Sequence, residues 1–171
     1  MLEKCHTMAQ CAQIAYMDGK EAKAEYKKLG FTGHKFIEND GAQVHIISNK
    51  ADIVLCFRGT EPSEFSDIKA DLNALPDKAD NGHGLVHNGF QTEVEKIWET
   101  IITALGKMKT DGKHLYITGH SLGGAMATIA ASRMATTCDA LYTYGSPRAG
   151  TRKFVKSFNI APASVIQRAC A

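Results

Sequence analysis

Apolar residues recur along the chain in two rhythms. The helical rhythm is clearest over residues 92–108, where Val94, Ile97, Trp98, Ile101, Ile102, Leu105 and Met108 fall at three- and four-residue steps. That spacing predicts a helix with one buried stripe. A second helical stretch runs from 7 to about 29, broken near Asp18-Gly19 and closed by Gly30 in the position of a C-terminal cap. Two β-rich runs follow, 43–48 and 52–57, separated by the turn-like pair Asn49-Lys50. Beyond residue 90 the pattern predicts a strand at 114–118, a helix from 122 to about 136, and a strand at 140–144. A short helix near 151–158 and a last strand at 164–168 complete it. Strands that alternate with helices imply an α/β fold, with a mostly parallel central sheet flanked by helices. No internal repeat, low-complexity tract or Pro/Gly/Ser-rich linker divides residues 1–171, which read as a single domain.

Composition removes several function classes. The longest apolar runs, such as 53–57, span only a few residues, far short of the ~20 a membrane-crossing helix needs. A net charge of +2 gives no broad footprint for nucleic acid. The five cysteines Cys5, Cys11, Cys56, Cys138 and Cys170 contain no C-x-x-C pair and no zinc spacing, a pattern that suits isolated thiols in a reducing compartment. The first ten residues lack the apolar core of a secretory signal, so the expected location is cytoplasmic. His83 and His87 are four apart, a spacing that holds a metal only on a helix. Asn81, Gly82 and Gly84 argue for a loop, and no metal is expected.

One segment carries chemistry. Residues 114–125 read as a strand, a G-x-S-x-G turn and a helix, with Gly119 and Gly123 flanking Ser121 and Gly124 following. A nucleophile at the top of such a turn needs strained backbone angles and neighbours small enough for strand and helix to pack closely. The helix behind Ser121 directs its positive end at the site, and the Leu122 amide is a candidate oxyanion donor. Given 15 glycines in 171 residues, composition alone yields the motif in about 0.06 of such chains. The alternative reading is a glycine-rich turn in which the serine merely caps the helix.

Four further segments, in order, complete a resemblance. Residues 53–60 end in Phe57-Arg58-Gly59-Thr60, residues 67–72 run Asp-Ile-Lys-Ala-Asp-Leu, residues 86–90 run Val-His-Asn-Gly-Phe, and residues 142–150 contain Gly145-Ser146-Pro147-Arg148. With the motif at Ser121, the chain resembles the class 3 lipases, the fungal-type triacylglycerol lipases of the α/β-hydrolase fold. The resemblance implies an ester or acylglycerol substrate, no cofactor, Ser121 as nucleophile, and a second oxyanion donor at Thr60 beside that of Leu122. It also implies an acid just after the strand at 164–168 and a histidine tens of residues later. Between Ser121 and Ala171 the only carboxylate is Asp139, before a strand on the wrong side of the sheet, and there is no histidine. The triad acid and base are therefore expected to lie outside the chain, which reads as truncated at its C-terminus. His120 adjoins Ser121 but should point elsewhere, and His87 is the better upstream candidate for lining the site.

Charge adds one expectation. Residues 61–80 carry a net −4, and the lid-like stretch 61–67 has a single large apolar residue, Phe65. Such a lid gains little on anionic lipid, so short or medium acyl esters are the expected substrates. Three readings stay open: an ester hydrolase, a non-catalytic lipid- or ester-binding protein of the same fold, and one subunit of a split enzyme. In the last, a partner chain or second copy covers the sheet edge left at 164–168.

Overall fold

The computed structural model describes residues 2–59, 76–80, 82–108, 112–158 and, as backbone, 166–168. Two helices open the chain, α1 (Leu2–Ile14) and α2 (Gly19–Lys28). Six strands form the main sheet: β1 (Gly33–Asn39), β2 (Ala42–Ser48), β3 (Asp52–Phe57), β6 (His114–His120), β7 (Ala140–Tyr144) and β8 (Ile166–Arg168), in that spatial order. The pairs β1–β2 and β2–β3 are antiparallel, and the three pairs from β3 through β8 are parallel. A two-stranded ribbon, β4 (Pro76–Lys78) with β5 (Leu85–His87), leads into helix α3 (Asn88–Gly106). Helix α4 (Leu122–Arg133) connects β6 to β7, and α5 (Arg152–Ser157) precedes β8.

The core lies on both faces of the sheet. Every residue of β3 is buried, as expected of a strand covered on both sides. Its side chains alternate: Ile53, Leu55 and Phe57 join the cluster under α3 and α4, while Val54 and Cys56 join the one under α1 and α2. Along α3 the buried residues are Phe90, Val94, Ile97, Ile101, Ala104 and Leu105. Trp98 is only partly buried, its ring stacked beneath the Arg133 guanidinium at 4.9 Å, and Ile102 is exposed.

Local chemistry explains the boundaries. The Asp18 carboxylate accepts from the Lys20 and Glu21 amides at 3.0 and 3.1 Å, so the predicted break is the N-cap of α2. At the turn between β2 and β3, Asn49 Oδ1 accepts from the amides of Ala51 and Asp52. Helix α1 begins five residues earlier than its apolar pattern suggests. There Lys4 pairs with Asp52 at 2.7 Å, and the Tyr144 hydroxyl donates to the Cys5 carbonyl at 2.6 Å, holding a turn that has little apolar signal of its own. Strand β1 is an addition to the expected elements. It is a mostly polar edge strand joined to β2 through Asp40 and Gly41, both at positive φ (48° and 81°), the backbone a two-residue hairpin requires.

Candidate active site

Strand β6 delivers Ser121 at the C-terminal end of the parallel strands, in line with β7. The Ser121 amide donates to the Tyr144 carbonyl at 3.0 Å, extending the β6–β7 ladder by one bond. The chain then reverses sharply: Ser121 has φ 53° and ψ −127°, a conformation that costs a residue with a Cβ about 1–3 kcal/mol. Ser121 occupies the N-cap position of α4, yet its side chain makes no capping hydrogen bond. Its Oγ is buried and has no hydrogen-bond partner among the described residues. The helix-cap alternative is thus not realised. Leu122 is the first residue of α4, so its amide has no carbonyl one turn back to bond.

The flanking glycines are demanded by contact. A Cβ on Gly119 would run into the Gly123 carbonyl, and would lie 2.8 Å from the Gly124 nitrogen. One on Gly123 would run into the Phe57 carbonyl, and would lie 2.8 Å from the Arg58 carbonyl carbon and 2.9 Å from the Gly59 nitrogen. One on Gly124 would lie 2.8 Å from the Ser146 Cβ. The first turn of α4 is therefore pressed against the end of β3 on one side and the Gly145-Ser146 turn on the other. Real Cβ contacts this short do not occur, and most of the opposing atoms are backbone that cannot swing away.

The other candidates fall as follows. His120 is exposed, and its Nδ1 lies 2.9 Å from the Tyr16 hydroxyl, so its ring is engaged away from Ser121. His87 ends β5. Its amide donates to the Ala149 carbonyl at 2.9 Å, and its ring stacks on Phe90 with centroids 4.1 Å apart. His83 sits in a bend and His87 on a strand, so the two do not share a helical face. Asp139 lies at the start of the parallel strands, opposite to Ser121. It accepts from the Leu115 amide at 2.7 Å and lies 3.2 Å from His114 Nδ1. Thr60, Phe65 and the segment 67–72 lie outside the described residues. A cavity of about 470 Å³ opens one turn further along α4, walled by Thr128, Leu141, Thr143, Ser146 and Phe158 among others. Gly59, within the 53–60 segment of the resemblance, lies beside the elbow, and Tyr16 is its unforeseen neighbour. No local pattern marks Tyr16, whose position depends on how α1 lies under β6.

Comparison with known proteins fits this geometry. The family described as Lipase (class 3) matches residues 54–169, which runs from within β3 through the elbow to β8. The chain belongs to the class 3 lipase family. A lipase of Caenorhabditis elegans is 31% identical over 133 residues, covering 72% of this chain and 37% of its own length. The crystal structure of a lipase from Rhizopus microsporus var. chinensis superposes with a TM-score of 0.73 at 23% identity, over 93% of this chain and 63% of that one. A triacylglycerol lipase described as having a serine-protease triad at its catalytic centre superposes with a TM-score of 0.71 at 22% identity, over 93% and 68% respectively. Those superpositions establish the α/β-hydrolase fold. The chain spans little more than a third of the worm lipase and about two thirds of the fungal structures. Among the described residues no helix is long and apolar enough to cross a membrane.

Proposed function

We propose that this chain supplies the nucleophile and oxyanion side of a serine carboxylic-ester hydrolase. As a general base takes its proton, Ser121 Oγ attacks the acyl carbonyl, the carbonyl π pair moves onto oxygen, and the Leu122 amide, with Thr60, stabilises that oxyanion. Collapse expels the alcohol, which takes that proton from the base; the base then deprotonates water, whose attack on the acyl-enzyme releases the acid and returns the proton to Ser121 Oγ. The observation that carries this reading is the strained, uncapped Ser121, whose buried hydroxyl neither caps its helix nor bonds to a neighbour among the described residues, as a nucleophile held for chemistry requires. The positive end of α4 behind it favours developing negative charge.

The reaction also needs a base and an orienting acid, and loss of the Ser–His unit lowers rate by about 10⁶. His120 and Asp139 are engaged elsewhere, and the His87 ring is packed on Phe90. In this reading acid and base are contributed by polypeptide other than residues 1–171, in the same protein or in a partner. The acidic stretch 61–80 favours short or medium acyl esters as substrates.

The test compares the 171-residue chain with the full product of its open reading frame. Both are exposed to a fluorophosphonate probe and to nitrophenyl butyrate and palmitate. The expected result is modification of Ser121, abolished by Ser121→Ala, with turnover by the full product and faster cleavage of butyrate. Labelling at another residue, or turnover that survives Ser121→Ala, refutes the nucleophile. Binding of ester without labelling in either form points to a lipid- or ester-binding protein instead.

A further inference from the structure

We infer that Tyr16 is a positioning residue for this site, its hydroxyl setting the gap between the backbone that follows β3 and the elbow at Ser121. Tyr16 lies two residues past α1 and is half-buried. Its hydroxyl is 2.9 Å from His120 Nδ1 and 3.5 Å from the His120 carbonyl oxygen, so it addresses both the side chain and the backbone of the residue before Ser121. On its other side stands Gly59. A Cβ there would run into the Tyr16 hydroxyl, and would lie 2.5 Å from the His120 carbonyl oxygen.

Three segments therefore meet with no side-chain volume to spare: the Tyr16 phenol, the 58–59 backbone and the carbonyl of His120. Gly123 closes the same segment from above, since a Cβ on it would run into the backbone of Phe57, Arg58 and Gly59. Residues 57–59 are thus gripped between the first turn of α4 and the phenol. The Arg58 guanidinium lies over the Tyr16 ring at 6.0 Å and donates to Gln43 Oε1 at 2.9 Å, which ties the strand end to the same aromatic. This grip fixes the end of the β3 backbone, through Gly59, relative to the first turn of α4. Misplacement by about 1 Å is enough to cost on the order of 10²-fold in rate. The catalytic part of the inference rests on Ser121 as nucleophile, whereas its structural part does not.

The experiment is Tyr16→Phe, which keeps the ring and removes only the hydroxyl. Amide exchange is read at Arg58, whose amide donates to Gln43, and at Ser121, whose amide donates to Tyr144. Exchange at these two sites is expected to rise by roughly tenfold while residues 97–105 of α3 are unchanged. The rate of fluorophosphonate labelling is expected to fall by about tenfold with the labelled site unchanged. A second pair guards against a folding defect: His120→Gln, which keeps an acceptor for the phenol, should preserve slow exchange better than His120→Ala. Wild-type exchange at Arg58 and Ser121 in Tyr16→Phe would overturn the inference. Should wild type show no labelling at all, the nucleophile assignment fails, and the exchange data still decide the role of Tyr16.

Discussion

Acid should weaken this fold well before its carboxylates begin to titrate, and the cause is His45. Its side chain is on β2, facing the cluster under α1 and α2, with 0% exposure. The ring packs against Phe36 at 4.7 Å, His34 at 5.2 Å and Tyr26 at 5.5 Å, and Nδ1 lies 2.9 Å from His34 Nε2. One nitrogen of that pair donates and the other accepts, so charging both rings sets donor against donor. Burial, reinforced by charge on His34, lowers the His45 pKa to about 4. Burial, then Lys23, lowers that of His34 as well. An unfolded chain carries an ordinary histidine near 6.5. Between these values the unfolded state binds a proton that the folded state refuses, so stability falls as pH falls, by about 1.4 kcal/mol per pH unit. For His45 alone the loss reaches about 3 kcal/mol at pH 4 and then levels off, against a total of about 5–15 kcal/mol for a domain. Urea midpoints followed by circular dichroism at about pH 7, 6 and 5.3 measure it, above the range where most carboxylates protonate. His45→Leu should flatten the dependence. A wild-type midpoint that is the same at both ends of that range, or a His45→Leu variant that declines as steeply, would refute the reasoning.

Other outcomes follow from the site and the core. Gly123→Ala should lower stability by about 1–3 kcal/mol, because its Cβ meets backbone that cannot yield, whereas Gly106→Ala, with open space around it, should raise stability slightly; thermal unfolding of both separates crowding from helix propensity. Ser121→Gly should raise stability by about 1 kcal/mol by relieving the positive φ while abolishing probe labelling; a destabilised Ser121→Gly would argue against stored strain. Cys11, Cys56 and Cys138 should resist alkylation in the native protein, since all are buried, and burial raises the thiol pKa of Cys56 and pushes that of Cys138 to about 12. Cys5, only half-buried, should react first among the described cysteines in a mass-mapped maleimide time course.

Elements whose own side chains decide their state were legible from the residues. The strands at 52–57 and 140–144 were expected residue for residue, because an uninterrupted apolar run between turn signals specifies a strand buried on both faces. The turn at Ser121 was legible for a similar reason: only glycine fits where helix, strand and loop backbones touch. Strand β1 was not, because an edge strand with one fully buried residue shows no alternation; Asp40-Gly41 was the available signal. The first turn of α1 was hidden because Asp52 and Tyr144, distant in sequence, hold it. Tyr16 was hidden for the same reason, since its partners lie at 59 and 120. His45 reads in the chain as one of several scattered polar positions, and only the meeting of α2 with β1 and β2 makes it a buried pair with His34.

The moorings of α1 share a property that bears on how such proteins diverge. Hydroxyls from three separate elements, Tyr26, Thr118 and Tyr144, reach the carbonyl oxygens of Cys11, Met8 and Cys5. Each grips the helix by its main chain, so these bonds do not depend on which side chain stands there, whereas packing still constrains Met8 and Cys11, which are buried in the core. A segment anchored this way can change its exposed residues while keeping its place, and the family match beginning at residue 54 leaves it out entirely. Searches built on residue identity will therefore undervalue this helix among distant relatives, and superposed main chains are the better guide to whether they kept it.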